Sequence, residues 1–254
     1  MATTFTWVSG NGDWNTAAAW DRGTVPGALD VAFINLPDNN IVTIAAGESV
    51  AVTELIIGDP SDTLQINGTL SISSQSAAAA PISNAGTIIL GSGALLDLGG
   101  FVTPTSLGIV LNGGATTEID GTFDGQGGTF TLGNGEALNT VLLGGQIRNA
   151  TVNTNSAFSI IQGNASLQDD IINGPVEVTT DATRLTIFQG NTFADAAGTL
   201  PGAISVIGQS DTLASTTLAE LVTGLRGAEP FAAVRTAAKP CASDVSDDKM
   251  TDGG

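Results

Sequence analysis

From about Ile41 onward the chain is a succession of short segments in which apolar and polar positions alternate, each stopped by glycine or asparagine. Val42-Thr43-Ile44, Leu64-Gln65-Ile66, Leu70-Ser71-Ile72 and Leu95-Leu96-Asp97-Leu98 show it most plainly. The runs Val52 to Ile57, Ile88 to Leu90, Ile109 to Leu111, Phe130 to Leu132, Val141 to Leu143, Phe158 to Ile161, Val176 to Val178, Leu185 to Phe188 and Ile204 to Ile207 continue the series. A period of two places one apolar face on each segment, the pattern of a strand buried on one side, and helical periodicity is nearly absent. The expectation is an all-β protein of many short strands.

A phrase recurs when the turn glycines are aligned: Gly68-Thr69-Leu70-Ser71-Ile72, Gly86-Thr87-Ile88-Ile89-Leu90, Gly108-Ile109-Val110-Leu111 and Gly128-Thr129-Phe130-Thr131-Leu132, at spacings of 18, 22 and 20 residues. A period of about 20 with more than one strand in each suits a right-handed parallel β-helix, a β-solenoid whose turns stack and bury Leu, Ile, Val and Phe in one continuous core. An antiparallel sandwich has frequent turns as well but gives no reason for a recurring Gly-Thr-apolar phase. With strands about 4.8 Å apart, eight or so coils over 41–208 make a rod about 40 Å long. The asparagines are read as turn formers and as inward ladders at the coil corners.

A solenoid needs its terminal strands closed, and residues 1–40 read as the N-terminal cap. Residues 209–254 differ in charge, with 4 basic and 7 acidic residues against 3 and 18 before them. Thr217-Leu218-Ala219-Glu220 fits a capping box, and Leu218, Leu221, Val222 and Leu225 have helical spacing, so a short amphipathic helix is expected there. The stretch from Ser243 to Gly254 has almost nothing apolar to bury and is expected to be a disordered tail.

Composition then narrows the function. The chain has 254 residues, 7 Lys+Arg against 25 Asp+Glu, a formal net charge of −18 and no histidine. So acidic a surface repels phosphate backbones and anionic lipid, which excludes nucleic acid and the membrane surface as natural partners. Absence of histidine removes the usual general base, the commonest zinc ligand and the partner in most nucleophilic triads. The single cysteine, Cys241, forms no intramolecular disulfide. Uncharged runs such as Thr63 to Leu96 are broken every few residues by Gly, Asn, Gln, Ser or Pro, so no transmembrane segment is expected. The N-terminus has no basic n-region or apolar h-region, hence no Sec-type signal peptide in this chain.

All three tryptophans fall in Trp7-Val8-Ser9-Gly10-Asn11-Gly12-Asp13-Trp14 and the following Trp20, ahead of Pro26-Gly27 and Asp30. This stretch resembles the opening of large exported bacterial β-strand repeat proteins, the autotransporter-passenger and haemagglutinin-like β-helix class. The resemblance covers residues 5–208, closely over Trp7 to Asp30 and by repeat style beyond. It implies a parallel β-helix, secretion or surface display by a leaderless export route, a role in adhesion or scaffolding, and membership of a larger protein or assembly. Trp7, Trp14 and Trp20 have two readings: a stacking platform for a glycan, since indole faces bind sugar rings, or the hydrophobic plug of the cap, which their clustering before the coils favours.

Two further motifs bear on chemistry. Gln168-Asp169-Asp170 matches the short Asp-Asp element of polygalacturonase-like hydrolases, in which paired carboxylates act as general acid and base. The Ser-His-Gly and Arg-x-Lys elements of that family are missing here. A lyase of the pectate type needs a basic proton abstractor near calcium, and the coils offer only Arg148 and Arg184. Asp120 and Asp124 among Gly121, Gly125, Gly127 and Gly128, or Gly133-Asn134-Gly135-Glu136, suggest a calcium nonapeptide repeat but lack its aspartate spacing, and are read as solvated turns. The acidic exterior would attract Ca²⁺ weakly with no specific site, and no cofactor is expected. The sequence therefore leads to a non-catalytic structural or adhesive module of a bacterial secreted or cell-surface protein, in contact with an extracellular glycan or a host or matrix surface. The alternative is a polysaccharide-degrading β-helix enzyme with Asp169 and Asp170 as its acids.

Overall fold

A computed structural model describes residues 2–73, 80–132, 140–154, 158–160, 164–178, 184–188, 190–197, 202, 204–206 and 212–215. The chain forms a parallel β-solenoid of five sheets. Sheet I contains Thr4–Thr6, Val31–Ile34, Glu54–Ile57 and Ile82–Asn84; sheet II contains Gly12–Asp13, Ile41–Ile44, Thr63–Ile66, Thr87–Leu90 and Ile109–Asn112. Sheet III runs through Ser49–Val52, Thr69–Ile72, Leu95–Leu98, Thr116–Ile119, Thr140–Leu143, Phe158–Ile160, Val176–Val178 and Ile204–Val206. Sheet IV stacks Phe101–Val102, Thr122–Asp124, Gln146–Arg148, Asn164–Gln168, Arg184–Ile187 and Thr212–Ser215, and sheet V stacks Thr129–Leu132, Thr151–Thr154, Ile171–Asn173 and Thr192–Ala194. Every ladder between these strands is parallel.

The period-two pattern explains the strands. In Glu54–Ile57, Thr63–Ile66, Thr69–Ile72, Thr87–Leu90 and Leu95–Leu98 alternate residues are half-buried and fully buried, so one face of each strand enters the core. The inward side chains form one hydrophobic cluster that runs from Phe5 to Phe193. Stacked four-residue strands bury too little to stand alone, and their stability depends on neighbours above and below.

The recurring glycine phrase proves to be a strand-opening device rather than a coil repeat. Gly86 and Gly108 open successive strands of sheet II, whereas Gly68 opens a strand of sheet III and Gly128 one of sheet V. A Cβ at Gly68 would meet the backbone carbonyls of Glu48 and Ala45, because the corner packs directly on the coil beneath. The segment Val52 to Ile57 is two strands: Ser49–Val52 belongs to sheet III and Glu54–Ile57 to sheet I. Thr53, between them, donates its N–H to Asp30 O at 2.8 Å.

Among the described residues sheet III is the longest, running from Ser49–Val52 to Ile204–Val206 and so spanning both halves of the stack. Sheets I and II end at Ile82–Asn84 and Ile109–Asn112, and sheets IV and V carry the later coils. The change coincides with a one-turn helix, Pro104–Leu107, opened by a capping box between Thr103 and Ser106 and ended at Gly108 with φ 64°. Asn84, at the end of sheet I, donates its Nδ2 to Leu107 O at 2.9 Å, so the helix closes that sheet.

Residues 1–40 contribute strands to sheets I and II as well as the tryptophan cluster. Asp21 donates its N–H to Thr6 O, Thr6 donates its own to Asp21 Oδ1, and Arg22 Nε donates to Thr4 O, all at 2.9 Å. These bonds occupy the outer edge of the first strand, which would otherwise be a template for pairing with another chain. Within 209–254, Thr212–Ser215 extends sheet IV; the expected helix near Leu218 to Leu225 and the tail lie outside the described residues. Among the described residues no helix is long and apolar enough to cross a membrane.

Candidate functional site

The three tryptophans continue the first coil into the core. Trp7 follows the first strand of sheet I and donates its N–H to Phe33 O at 2.9 Å; Trp14 follows the first strand of sheet II and donates to Thr43 O at 2.8 Å. Their rings meet Trp20 edge to face, at centroid separations of 5.1 and 4.9 Å. Trp7 Nε1 donates to Gly10 O and Trp20 Nε1 to Trp14 O. All three are at most 1% exposed, so no indole face is open to a sugar ring. The cluster lies in the core at the N-terminal end, as the plug reading describes, and the stacking-platform reading loses its geometry.

Asp169 and Asp170 stand at the corner between Asn164–Gln168 and Ile171–Asn173, and they part there. Asp169 takes φ 56° and is exposed, accepting from Gln168 Nε2 at 3.3 Å. Asp170 is fully buried: its Oδ1 accepts from Ala150 N at 2.9 Å and its Oδ2 from Gln168 N at 3.0 Å, while its own N–H donates to Asn191 Oδ1 at 3.0 Å. Asn191 in turn donates to Leu167 O and Phe188 O. The result is a buried polar ladder through three coils. Burial pushes the Asp170 carboxyl up to about 7 against the two backbone N–H bonds, with the charges of Asp169 and Asp124 adding to the rise. Asp62 plays the same part at the corner of sheets I and II, accepting from Leu36 N at 3.0 Å and Asn40 Nδ2 at 3.1 Å. A general acid must reach a substrate oxygen, and a carboxyl with both oxygens on backbone N–H groups inside the wall has no such reach.

The outer surface of sheet IV gathers more chemistry than the sequence suggested. Asp124, Arg148 and Gln168 are register partners on three successive strands. Phe188 extends that column, because its N–H donates to Leu167 O at 2.9 Å, one step past the Leu167 and Ile187 pair. Beside it, Phe101, Thr122, Gln146, Ser166 and Thr186 form the neighbouring column. Arg148 holds Asp124 through Nη2 and Nε at 2.8 and 2.9 Å, and its guanidinium lies 5.3 Å from the Phe101 ring centroid. Asp124 Oδ1 also accepts from Gln126 N and Asn149 Nδ2. Burial would raise the Asp124 carboxyl, but these hydrogen bonds and the Arg148 charge hold it below the usual range. Gln146 Nε2 donates to Gln168 Oε1 at 3.3 Å, so the polar row is tied together.

The corner that follows sheet IV has an unusual backbone. Gln126, Asn149, Asp169 and Gly190 take φ of 53°, 52°, 56° and 91°, at the same corner of four successive coils. Non-glycine residues hold such a conformation only where the surroundings over-determine it. Here stacking does so: Gly127 donates to Asn149 O at 2.7 Å and Asn149 to Gln168 O at 3.1 Å.

A third group of carboxylates lies on the outer face of sheet III, where Asp97 and Glu118 are register partners. Burial raises both carboxyls; the Asp120 charge adds to each, Asp97 adds to Glu118, and a hydrogen bond with Ser71 opposes the rise at Asp97. Among the described residues no three His, Cys, Asp or Glu side chains are placed to hold a metal ion. Of the calcium-repeat candidates, Asp124 is paired with Arg148, and Gly133 to Glu136 lie outside the described residues.

The fold defines the chain as a parallel β-solenoid whose wall carries one mixed aromatic and polar strip. No family model matches the chain, and neither a curated protein nor a solved structure matches it.

Proposed function

We propose that the chain is a non-catalytic structural and adhesive module of a bacterial secreted or cell-surface protein, of the exported β-strand repeat kind that its Trp7 to Asp30 stretch resembles. The observation that carries this reading is the placement of the candidate acids: Asp170 is bonded into the wall through both oxygens while Asp169 faces solvent, so the pair does not flank one bond to be cleaved. A rod built from stacked coils, with an acidic exterior that keeps it soluble, suits display at a distance from an anchoring point.

The test is incubation of the purified chain with a panel of neutral and acidic polysaccharides, insoluble and soluble, with and without calcium. Co-sedimentation and the appearance of new reducing ends are recorded together. Retention without new ends is expected. New ends that vanish in Asp169→Asn or Asp170→Asn would overturn the proposal in favour of the hydrolase. Absence of both retention and release overturns the adhesive half and leaves the scaffold.

A further inference from the structure

Within that adhesive reading, on which this inference rests, we propose that the outer face of sheet IV binds a neutral polysaccharide laid along the stacking axis, between Phe101 and Phe188. Three observations lead there. The first is an exposed aromatic side chain with a fixed backbone. Phe188 is 36% exposed, yet its N–H donates to Leu167 O and its carbonyl accepts from Asn191 Nδ2 at 2.7 Å. A large apolar ring carried at the surface on a hydrogen-bonded backbone presents a face whose main chain loses little freedom on binding.

The second is the register. From the strand of Phe101 to that of Phe188 there are four strand intervals, about 19 Å at the usual spacing, with Asp124, Gln146, Arg148 and Gln168 on the strands between. Hydroxyl-rich ligands are recognised by this combination: carboxylate, amide and guanidinium groups that both donate to and accept from hydroxyls, bounded by aromatic faces. The row is already linked by its own hydrogen bonds, so its side chains are oriented before a ligand arrives. A repeat of one strand per coil suits a ligand that is itself a repeating chain.

The third is charge. The whole chain carries −18, but on the surface of sheet IV and its following corner Asp124 and Asp169 are balanced by Arg148 and Arg184, and the corner's third carboxyl, Asp170, is buried in the wall. A uronic or sulfated chain would meet the repulsion of the whole molecule without a local excess of cations, and a cationic chain would find better attraction elsewhere. A neutral chain meets neither penalty.

The experiment titrates the intact chain with cellohexaose, mannohexaose and chitohexaose by isothermal titration calorimetry. Phe188→Ala, Gln168→Ala and Phe188→Trp are compared with Leu29→Ala, an exposed apolar residue in the N-terminal segment. Far-UV circular dichroism and thermal unfolding verify that each variant retains the fold. At least one hexasaccharide is expected to bind. Phe188→Ala is expected to weaken it about fivefold or more and Gln168→Ala about three- to tenfold, while Phe188→Trp retains affinity and Leu29→Ala changes nothing. Binding that is equal in wild type and both alanine variants overturns the assignment to sheet IV and leaves adhesion standing. Retention only on acidic polysaccharides or on matrix protein overturns the neutral-glycan inference alone. Failure to be retained on any surface in either experiment overturns both.

Discussion

Asp170 provides the sharpest physical test of this wall. Its carboxyl rises from 3.8 to about 7 on folding, chiefly through burial. Three pH units at about 1.36 kcal/mol each set an upper bound of about 4 kcal/mol on the cost of keeping it ionised inside. The raised value fixes the sign. The protonated form is favoured in the fold, so the contribution to stability is fully present below about pH 4 and is lost as pH climbs through about 7. Asp97 and Glu118, also raised by burial, act in the same direction, so urea midpoints of the wild type should fall between pH 5 and pH 8. Asp170→Asn removes the titration while keeping one acceptor, and it sets an amide N–H₂ against a backbone N–H that Asp170 now accepts. At pH 5 the variant should be weaker than wild type by about 1–3 kcal/mol, because an amide nitrogen cannot accept the backbone N–H that the hydroxyl oxygen of the protonated wild-type carboxyl still accepts. By pH 8 the gap should close or reverse, because only the wild type buries a charge. The assay is urea unfolding at four pH values, followed by both tryptophan emission and circular dichroism, since a stack of repeats need not unfold in one step. Parallel pH profiles for the two proteins would refute the argument, because the difference between them contains only residue 170.

The tryptophan plug should be indispensable to the N-terminal coils. Trp20 touches both other indoles, and Trp20→Ala should cost about 3–5 kcal/mol, read as a fall in urea midpoint; a loss below about 1 kcal/mol would mean the cluster is not a core. At Gly68, Ala would drive a Cβ into the carbonyls of Glu48 and Ala45, so Gly68→Ala should destabilise by about 1–3 kcal/mol. At Gly10 the same Cβ meets only Asn40 Oδ1 at 3.7 Å, so the two melting temperatures should separate clearly, and equal values would show that the corners are not closely packed.

How much of this architecture is legible in the sequence depends on what points inward. Strands with two buried aliphatic residues, such as Leu64 and Ile66 or Leu96 and Leu98, announce themselves by alternation. Thr116–Ile119 and Thr151–Thr154 do not, because one of their two inward positions is a threonine, Thr117 or Thr154, buried in the wall. The hydroxyl hides the period: Thr154 reaches backbone carbonyls at Asn173 and Pro175, a bond that exists only once the next coil is in place. The division of Val52 to Ile57 is hidden for a related reason. Thr53 turns the chain while the apolar run continues through it, and the bond from its N–H to Asp30 O belongs to a coil more than twenty residues away. The corner ladders were foreseeable in kind, as stacked asparagines, yet their partners are aspartates: Asn40 with Asp62, and Asp170 with Asn191.

The strip on sheet IV was illegible for a deeper reason, which is that its members share no motif. Asp124, Arg148, Gln168 and Phe188 are each about 20 residues from the next, and coil lengths vary enough that a spacing rule cannot align them. Only the register decides that Arg148 lies over Asp124 rather than over Thr122, and a one-residue slip would turn every one of these side chains to the other face. That register is set by the buried residues: Phe123, Ile147 and Leu167 stack in the core directly behind the strip, at 1% exposure or less. The surface chemistry is thus a consequence of core packing on the alternate positions. A substitution that shifts the inner column, such as Ile147→Asp, would dissolve the outer row without touching any of its members. In a solenoid the site is written across the repeats, one residue to a coil, and becomes readable only when the coils are stacked.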